Sequence, residues 1–419
     1  MLDNQKSYDL ICEILSFTKS SNALNEKLNK LSDEDWERIL HVTTKQGVPL
    51  VLFDRLRKLD DTVRIPQFAQ ARLLETYHRS LAKNMRMMHH AKLILNLLRN
   101  HHIDVIALKG IYLVESIYGN IGLRTFFDLD LMVRKKDLHH AMAVMKDDGY
   151  VLSTYYDMED DNQDIKHIPA IKKGKGPYVE LHWGLLEENV PFEIDLSGVW
   201  QRAIPVNVCG EDVLALSNED LILHLCIHFT YQHHMDIGLK ALYDIALVIQ
   251  KCQNQINWNR IVSISKLWGV EKVIWLTFSL LGRILNVYIP KAVLKNLLPR
   301  DTQHHILALA INQLKTYAHI EEKIDVTPDL VNLYSRKNLF VKIKLTLNRV
   351  FIPKRIMARA YNLSPSSIKI YFYYFIRFKE LLIHYAPTIL KISQKDEEAL
   401  ATVKSEQIKG ELIDWYRNR

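Results

Sequence analysis

Along the first hundred residues, apolar positions recur at intervals of three and four, the spacing of a helix with one buried face. The stretch "ARLLETYHRSLAKNMRMMHHAKLILNLLRNH" predicts one long amphipathic helix in which Met85, Met87 and Met88 read as packing residues. Upstream, "SDEDWERILHVTTKQGVPLVLFDRL" opens with Ser32 as N-cap and Asp35 three residues on. This is a capping-box pattern with Asp in place of the usual Glu or Gln, and Asp33 and Glu34 place negative charge where the helix dipole favours it. The period changes after residue 100. "IDVIAL" (Ile103 to Leu108) reads as a short strand, followed by Lys109-Gly110 and a helix, "IYLVESIY". Next come a strand in "FFDLDLMV", a helix in "KKDLHHAMAVMKDDG" ending at Gly149, and strand candidates in "YVLSTYYDM", "HIPAIKK" and "YVELHWGL". The polar stretches "EDDNQD" and "KKGKGP" separate them as loops. From "SNEDLILHLCIHF", with Ser217 as N-cap, the chain reads as helix almost to its end. The expected fold class is α+β, with an N-terminal helical region over 1–100, a mixed α/β core over 101–215, a C-terminal helical domain over 216–395 and a charged helix or tail over 396–419. There is no internal repeat.

Composition narrows this picture only a little. A length of 419 residues allows two or three units with real cores. Hydrophobic residues at 48% and charged residues at 25% are those of an ordinary globular protein, and 14 Gly with 12 Pro favour helices over a turn-rich all-β fold. The net charge of +7 suits a polyanion without separating nucleotide, nucleic acid and membrane surface. Cys12, Cys209, Cys226 and Cys252 show no paired spacing, which points to a reducing compartment and away from a disulfide frame or zinc knuckle. The N-terminus lacks a basic segment followed by an apolar one, and no apolar run reaches membrane-spanning length, so a cytoplasmic protein without a membrane span is expected.

The chemistry starts from "RTFFDLDLMV". Residues two apart on a strand share a face, so Phe127, Leu129, Leu131 and Val133 are expected to pack inward while Asp128 and Asp130 project together from the other side. Carboxylates held that close repel unless a cation or proton relieves them. In "YVELHW", Glu180 and His182 share the face opposite Val179, Leu181 and Trp183. If that strand lies beside the first, a third carboxylate joins the pair, forming an oxygen-rich site suited to Mg²⁺. Two such ions could bridge a triphosphate and activate an attacking hydroxyl. The strand–Lys109-Gly110–helix turn offers backbone N–H groups to phosphate oxygens, and a side chain at Gly110 would crowd an approaching phosphate. Phosphoryl or nucleotidyl transfer is the chemistry these parts describe together.

Strand, Gly turn, helix, Asp-X-Asp on a strand and a later strand acid follow the order of the polymerase-β-like nucleotidyltransferase superfamily. More narrowly, "IALKGIYLVESIYGNIGLRTFFDLDLMV", then "ELHW", then "HLCIHFTYQHHMDIGLKALYDIALVI" resembles a bacterial family of uncharacterised nucleotidyltransferases. The resemblance implies a minimal nucleotidyltransferase mixed sheet flanked by helices. It implies Asp128, Asp130 and Glu180 as catalytic residues and metal ligands for two Mg²⁺ ions, and an NTP, with ATP the expected one, as donor to an unidentified small molecule, peptide, protein or RNA. It places Lys109-Gly110 at the phosphate turn, where the wider superfamily usually has Gly-Ser. Lys109 could replace the serine by charge or pair with Asp128. Matching family positions add His228, Lys240 and Asp244 to the nucleotide side.

Other residues keep two readings. Arg124 could reach a phosphate or salt-bridge an acid of the triad. His182 could tune a metal ligand, contact substrate or be a satisfied structural residue. His224 and His228 have ligand spacing, but no adjacent Glu or further ligand makes a zinc site. The segment Arg336 to Lys379, rich in Lys, Arg, Phe and Tyr with no acid, is either a polyanion surface or an amphipathic helix pair with its aromatic face buried; the latter is favoured, and nucleic acid is not. The rival to an enzyme is a non-catalytic nucleotide-binding regulator or antitoxin-like partner, against which the three acids argue and for which the altered turn argues.

Overall fold

The computed structural model describes residues 1–18, 22–59, 62–151, 167–174, 176–187, 190–299, 305–319, 350–361, 363–364, 366–394 and 396–417. Two compact units result, Met1–Leu307 and Ala308–Arg419.

The first unit begins with helices α1 (Asn4–Leu15), α2 (Asn22–Asn29), α3 (Asp33–Lys45), α4 (Pro49–Leu56) and α5 (Gln67–Asn100). The capping box forms despite the shorter acid. Asp35 N–H donates to Ser32 Oγ at 3.2 Å, and Ser32 N–H donates to Asp35 Oδ2 at 3.1 Å. Helix α5 is the predicted long helix, with Leu73, Met87, Ala91, Ile94, Leu95 and Leu98 along its buried stripe. Met85 lies on its exposed side.

A six-stranded mixed sheet follows, in the order β3-β4-β2-β1-β6-β5. Its strands are β1 (Ile106–Ala107), β2 (Asp128–Met132), β3 (His167–Lys172), β4 (Tyr178–His182), β5 (Ile204–Val208) and β6 (Glu211–Ala215). Strand β1 is shorter than the pattern "IDVIAL" suggests. The ladder does reach beyond it, since Leu214 N–H donates to Val105 O at 2.9 Å and Leu108 N–H to Asp130 O at 3.0 Å. Helix α6 (Lys109–Tyr112) then takes the chain straight on into a π-helical turn, Leu113–Tyr118. Helix α7 (Leu138–Asp147) returns from β2, and residues 152–164, which hold most of "YVLSTYYDM" and all of "EDDNQD", lie outside the described residues. The edge strand β5 and its neighbour β6, which lies between β5 and β1, were absent from the sequence reading. Their run "IPVNVCGEDVLA" is apolar in most positions yet largely exposed or half-exposed, so no clean inward–outward alternation marks it.

Helices α8 (Leu196–Arg202), α9 (Asn218–Ile227), α10 (Gly238–Cys252), α11 (Trp258–Trp268), α12 (Glu271–Leu285) and α13 (Lys291–Leu297) complete the unit up to residue 297. Ser217 caps α9 as expected, accepting from Asp220 N–H at 3.2 Å. The Gln46 carbonyl accepts from Lys240 N–H at 3.1 Å and its side chain accepts from Leu239 N–H at 3.0 Å. The end of α3 is thereby tied to the start of α10, fixing the helix that carries Lys240 and Asp244. In the second unit, helix Lys369–Ser393 packs on helix Lys354–Ala360, and a helix, Glu397–Arg417, occupies the stretch expected as a charged helix or tail and buries Val403, Ile408, Leu412 and Trp415.

Candidate active site

Strands β2 and β4 run parallel, with Asp128 opposite Tyr178, Asp130 opposite Glu180 and Met132 opposite His182. That register sends Leu129, Leu131, Val179 and Leu181 into the core, each 1% exposed or less, and puts both aspartates, Glu180 and His182 on the other face. Phe127 departs from the expected alternation. It precedes the strand and stands 67% exposed, while Phe126 is buried in its place.

Asp130 is the best-held of the acids. Its Oδ1 accepts from His182 Nε2 at 2.9 Å and from Lys109 Nζ at 3.3 Å. Burial pushes its carboxyl up, but Lys109 and the hydrogen bond from His182 outweigh that and hold it well below the usual carboxylate range. Nε2 of His182 also lies 3.3 Å from Glu180 Oε2, so one buried imidazole joins the two acids. Ligand atoms of Asp130, Glu180 and His182 all lie within 4.8 Å of one another, and this is the sole such group among the described residues. Asp128 stands beside the group rather than within it. Burial, then the charges of Asp130 and Glu180, push its carboxyl above the ordinary value. The carboxylates present the hard oxygen donors that a divalent cation takes, and the crowding felt by Asp128 is the strain such a cation relieves. The donor set therefore fits Mg²⁺, with His182 placed to orient two carboxylates.

Of these, Asp128 and Asp130 open onto a cavity of about 260 Å³ lined also by Lys109, Gly110, Arg124, Phe126, Phe127, His228, His233, Lys240 and Asp244, while Glu180 and His182 stand outside its lining. Lys109 pairs with Asp130 rather than with Asp128. Its φ of +39° is a conformation that a residue with a side chain rarely adopts, so the turn holds it there at a cost. Gly110 is buried for a reason the sequence did not suggest. A Cβ at that position would lie 2.8 Å from Cβ of Phe126, so the close approach it permits is to the Phe126 side chain.

Arg124 pairs with neither Asp128, Asp130 nor Glu180. Its Nε and one Nη each donate to Asp244 at 2.9 Å, and Tyr118 Oη donates to the same carboxylate at 2.7 Å. The loop that leads into β2 is thus clamped to α10, and Asn84 of α5 holds it from the other side by donating to the carbonyls of Ile121 and Arg124. Lys240 Nζ donates to Thr125 O at 2.8 Å; burial, then the Arg124 charge, bring its ammonium down to about 8.

His228 sits where α9 gives way to a second π-helical turn, His228–Gln232. Its Nε2 lies 3.1 Å from Nε2 of His233, and burial, with Lys109 and His233 nearby, holds it well below the ordinary histidine range and therefore neutral at pH 7. His224 is buried with its ring centroid 6.2 Å from that of His228, and the pair belongs to no larger ligand group among the described residues. The second π-helical turn puts His228 in the cavity lining and the first carries Tyr118, which bonds the lining residue Asp244, in keeping with the tendency of such turns to occur at functional sites. Sequence periodicity gave no sign of either. It also missed His233, Phe126 and Lys83, whose ammonium stands 3.0 Å from the centroid of the Phe127 ring.

A family described as uncharacterised nucleotidyltransferase matches residues 32–286, which span α3 to α12 and contain every wall of this cavity. The chain belongs to this family. No curated protein and no solved structure matches it. The match covers the sheet, the clamped loop and the helix that carries Lys240 and Asp244.

Proposed function

We propose that the protein transfers a nucleoside monophosphate from an NTP, ATP first among them, to an acceptor hydroxyl or phosphate in an Mg²⁺-dependent reaction of the polymerase-β-like kind. The observation that carries the reading is the alignment of Asp130 with Glu180 on parallel neighbouring strands, beside Asp128, in a chain of a nucleotidyltransferase family. Asp128, Asp130 and Glu180 would hold two Mg²⁺ ions, which polarise the α-phosphate and offset developing charge. Glu180, about a quarter exposed, is the acid placed to accept the acceptor's proton. His182 keeps Asp130 and Glu180 aimed together. Lys109 and Lys240 supply positive charge for the triphosphate, Gly110 lets the strand–helix turn approach it, and neutral His228 offers a hydrogen bond without adding charge. Arg124 and Asp244 fix the wall on which these groups stand.

The test uses the full chain with α-labelled ATP, GTP, CTP and UTP, with and without Mg²⁺, followed by release of labelled nucleotide into product and of pyrophosphate. Mg²⁺-dependent release that is lost in Asp130→Asn supports the reading. Tight ATP binding with no turnover for any acceptor would favour the non-catalytic regulator, for which the double hold on Asp130 by Lys109 and His182 is the supporting observation. No nucleotide binding at all would sink both.

A further inference from the structure

The second compact unit carries a stripe of apolar side chains that stand exposed among the described residues. Helix Lys369–Ser393 already has a packed side. Ile370 is buried with Met357 and Ala358, Tyr373 and Tyr374 pack against that cluster, and Tyr374 Oη donates to Ile352 O at 2.6 Å. At 100° per residue, Ile368, Phe372, Phe375, Lys379, Ile383 and Leu390 fall within an arc of about 80° on the opposite side, along roughly 33 Å of helix. The five apolar members are 84%, 64%, 67%, 64% and 57% exposed. The sequence favoured a buried aromatic face here; the structure turns Phe372 and Phe375 outward. Of the twenty large apolar side chains exposed among the described residues, nine lie between 351 and 390, so this is a concentration rather than the usual scatter.

The charge around the stripe selects its occupant. Between 350 and 394 the sequence has seven Lys and Arg against one acid, Glu380. Lys379 sits inside the stripe, and Lys369 and Lys391 are exposed toward its two ends. Half of the stripe is aliphatic, which gives nucleobases nothing to stack on. A row of exposed Phe, Ile and Leu with lysines in and beside it is what an interfacial helix presents to an acidic bilayer: apolar side chains enter the acyl boundary while lysines extend to the headgroups. No helix among the described residues is long and apolar enough to cross a membrane, so the contact is one of lying on the surface. We propose that this face of helix Lys369–Ser393 docks on an anionic lipid surface.

Co-sedimentation of the full chain with phosphatidylcholine vesicles, and with vesicles mixing phosphatidylglycerol and phosphatidylcholine, tests the proposal. The expected result is binding to the mixed vesicles alone, weakened by salt and reduced roughly tenfold in Phe372→Ser/Phe375→Ser. Lys379→Glu should lower binding to the mixed vesicles without changing the Tm. The idea fails if the unaltered chain ignores both vesicle types, binds them equally, or is unaffected by the double substitution. It fails equally if the double variant loses affinity for a single-stranded RNA oligonucleotide instead, or if light scattering shows a dimer that the variant dissolves. A Tm drop of core-deletion size in the double variant would show the chain covering this face itself, and would overturn the proposal too.

Discussion

Arg124 and Asp244 form a two-pronged ion pair, both hydrogen bonds 2.9 Å long and both side chains under 10% exposed, across 120 residues of sequence. The pair binds the loop before β2 to α10, so the direction in which Asp128 and Asp130 leave the sheet depends on a helix far along the chain. Breaking a buried pair by removing one partner strands the other charge, at about 3–5 kcal/mol. Asp244→Ala is therefore expected to lower the Tm by at least about 5 °C, with thermal unfolding as the check. An unchanged Tm together with weakened ATP binding would mean that Asp244 meets the nucleotide directly.

Asp128 makes the opposite prediction. Its carboxyl is raised by burial and by two neighbouring carboxylates, so the folded state holds a proton more tightly than the unfolded chain does. Such a group costs stability once the pH rises above its unfolded value of about 3.9. Asp128→Asn should abolish Mg²⁺-dependent transfer while leaving the Tm at pH 7 unchanged or raised by up to about 2 °C, since the site is partly solvated. The difference should vanish as the pH falls toward 4. A marked Tm loss with activity intact would make Asp128 a structural residue.

Much of this was legible in the sequence, for reasons that residue types explain. Asp128, Asp130 and Glu180 stood out because acids amid Leu and Val violate the strand pattern, and period-2 alternation fixed their common face. Ser32 and Ser217 announced their helices because capping is a local hydrogen bond. What stayed hidden was non-local. Nothing in the neighbourhood of Arg124 indicates an acid on α10, and neither the pairing of Lys109 with Asp130 rather than Asp128 nor the φ of +39° at Lys109 leaves a mark in the local pattern. Gly110 was read as room for phosphate, whereas the side chain closest to the missing Cβ is Phe126. The outward aromatics of helix Lys369–Ser393 have the same composition as inward ones, and only the packed side of that helix decides between them.

Lys109 joins the two halves of the site. With Nζ 3.3 Å from Asp130 it helps keep that acid ionised, and at the strand–helix turn it also lines the cavity. Lys109→Ala is expected to weaken ATP more than AMP in calorimetric titrations with Mg²⁺, because most of the ligand charge it would meet lies on the β- and γ-phosphates. Equal losses for the two nucleotides would restrict Lys109 to orienting Asp130, and no loss would move the phosphates elsewhere in the cavity.

Lys240 gives the site a pH signature with two opposite signs. Burial and the nearby Arg124 bring its ammonium to about 8 in the folded protein, against about 10.4 in an unfolded chain. Below pH 8 it is charged in both states, and the cost of burying that charge is fully present. Between pH 8 and about 10.4 the unfolded chain binds the extra proton, so this residue's contribution to stability rises with pH. Ligand binding runs the other way, since a triphosphate is attracted only by the charged form. ATP affinity at fixed Mg²⁺ should be level from pH 7 to 7.5 and decline through pH 8 to 9. Lys240→Met should bind ATP more weakly with no such decline, and Lys240→Arg should keep its affinity at pH 9, because guanidinium does not titrate there. Over the same range the Tm of the unaltered protein should gain on that of Lys240→Met. If the Met variant shows the same fall in affinity between pH 8 and 9, another group titrates and Lys240 does not contact the phosphates.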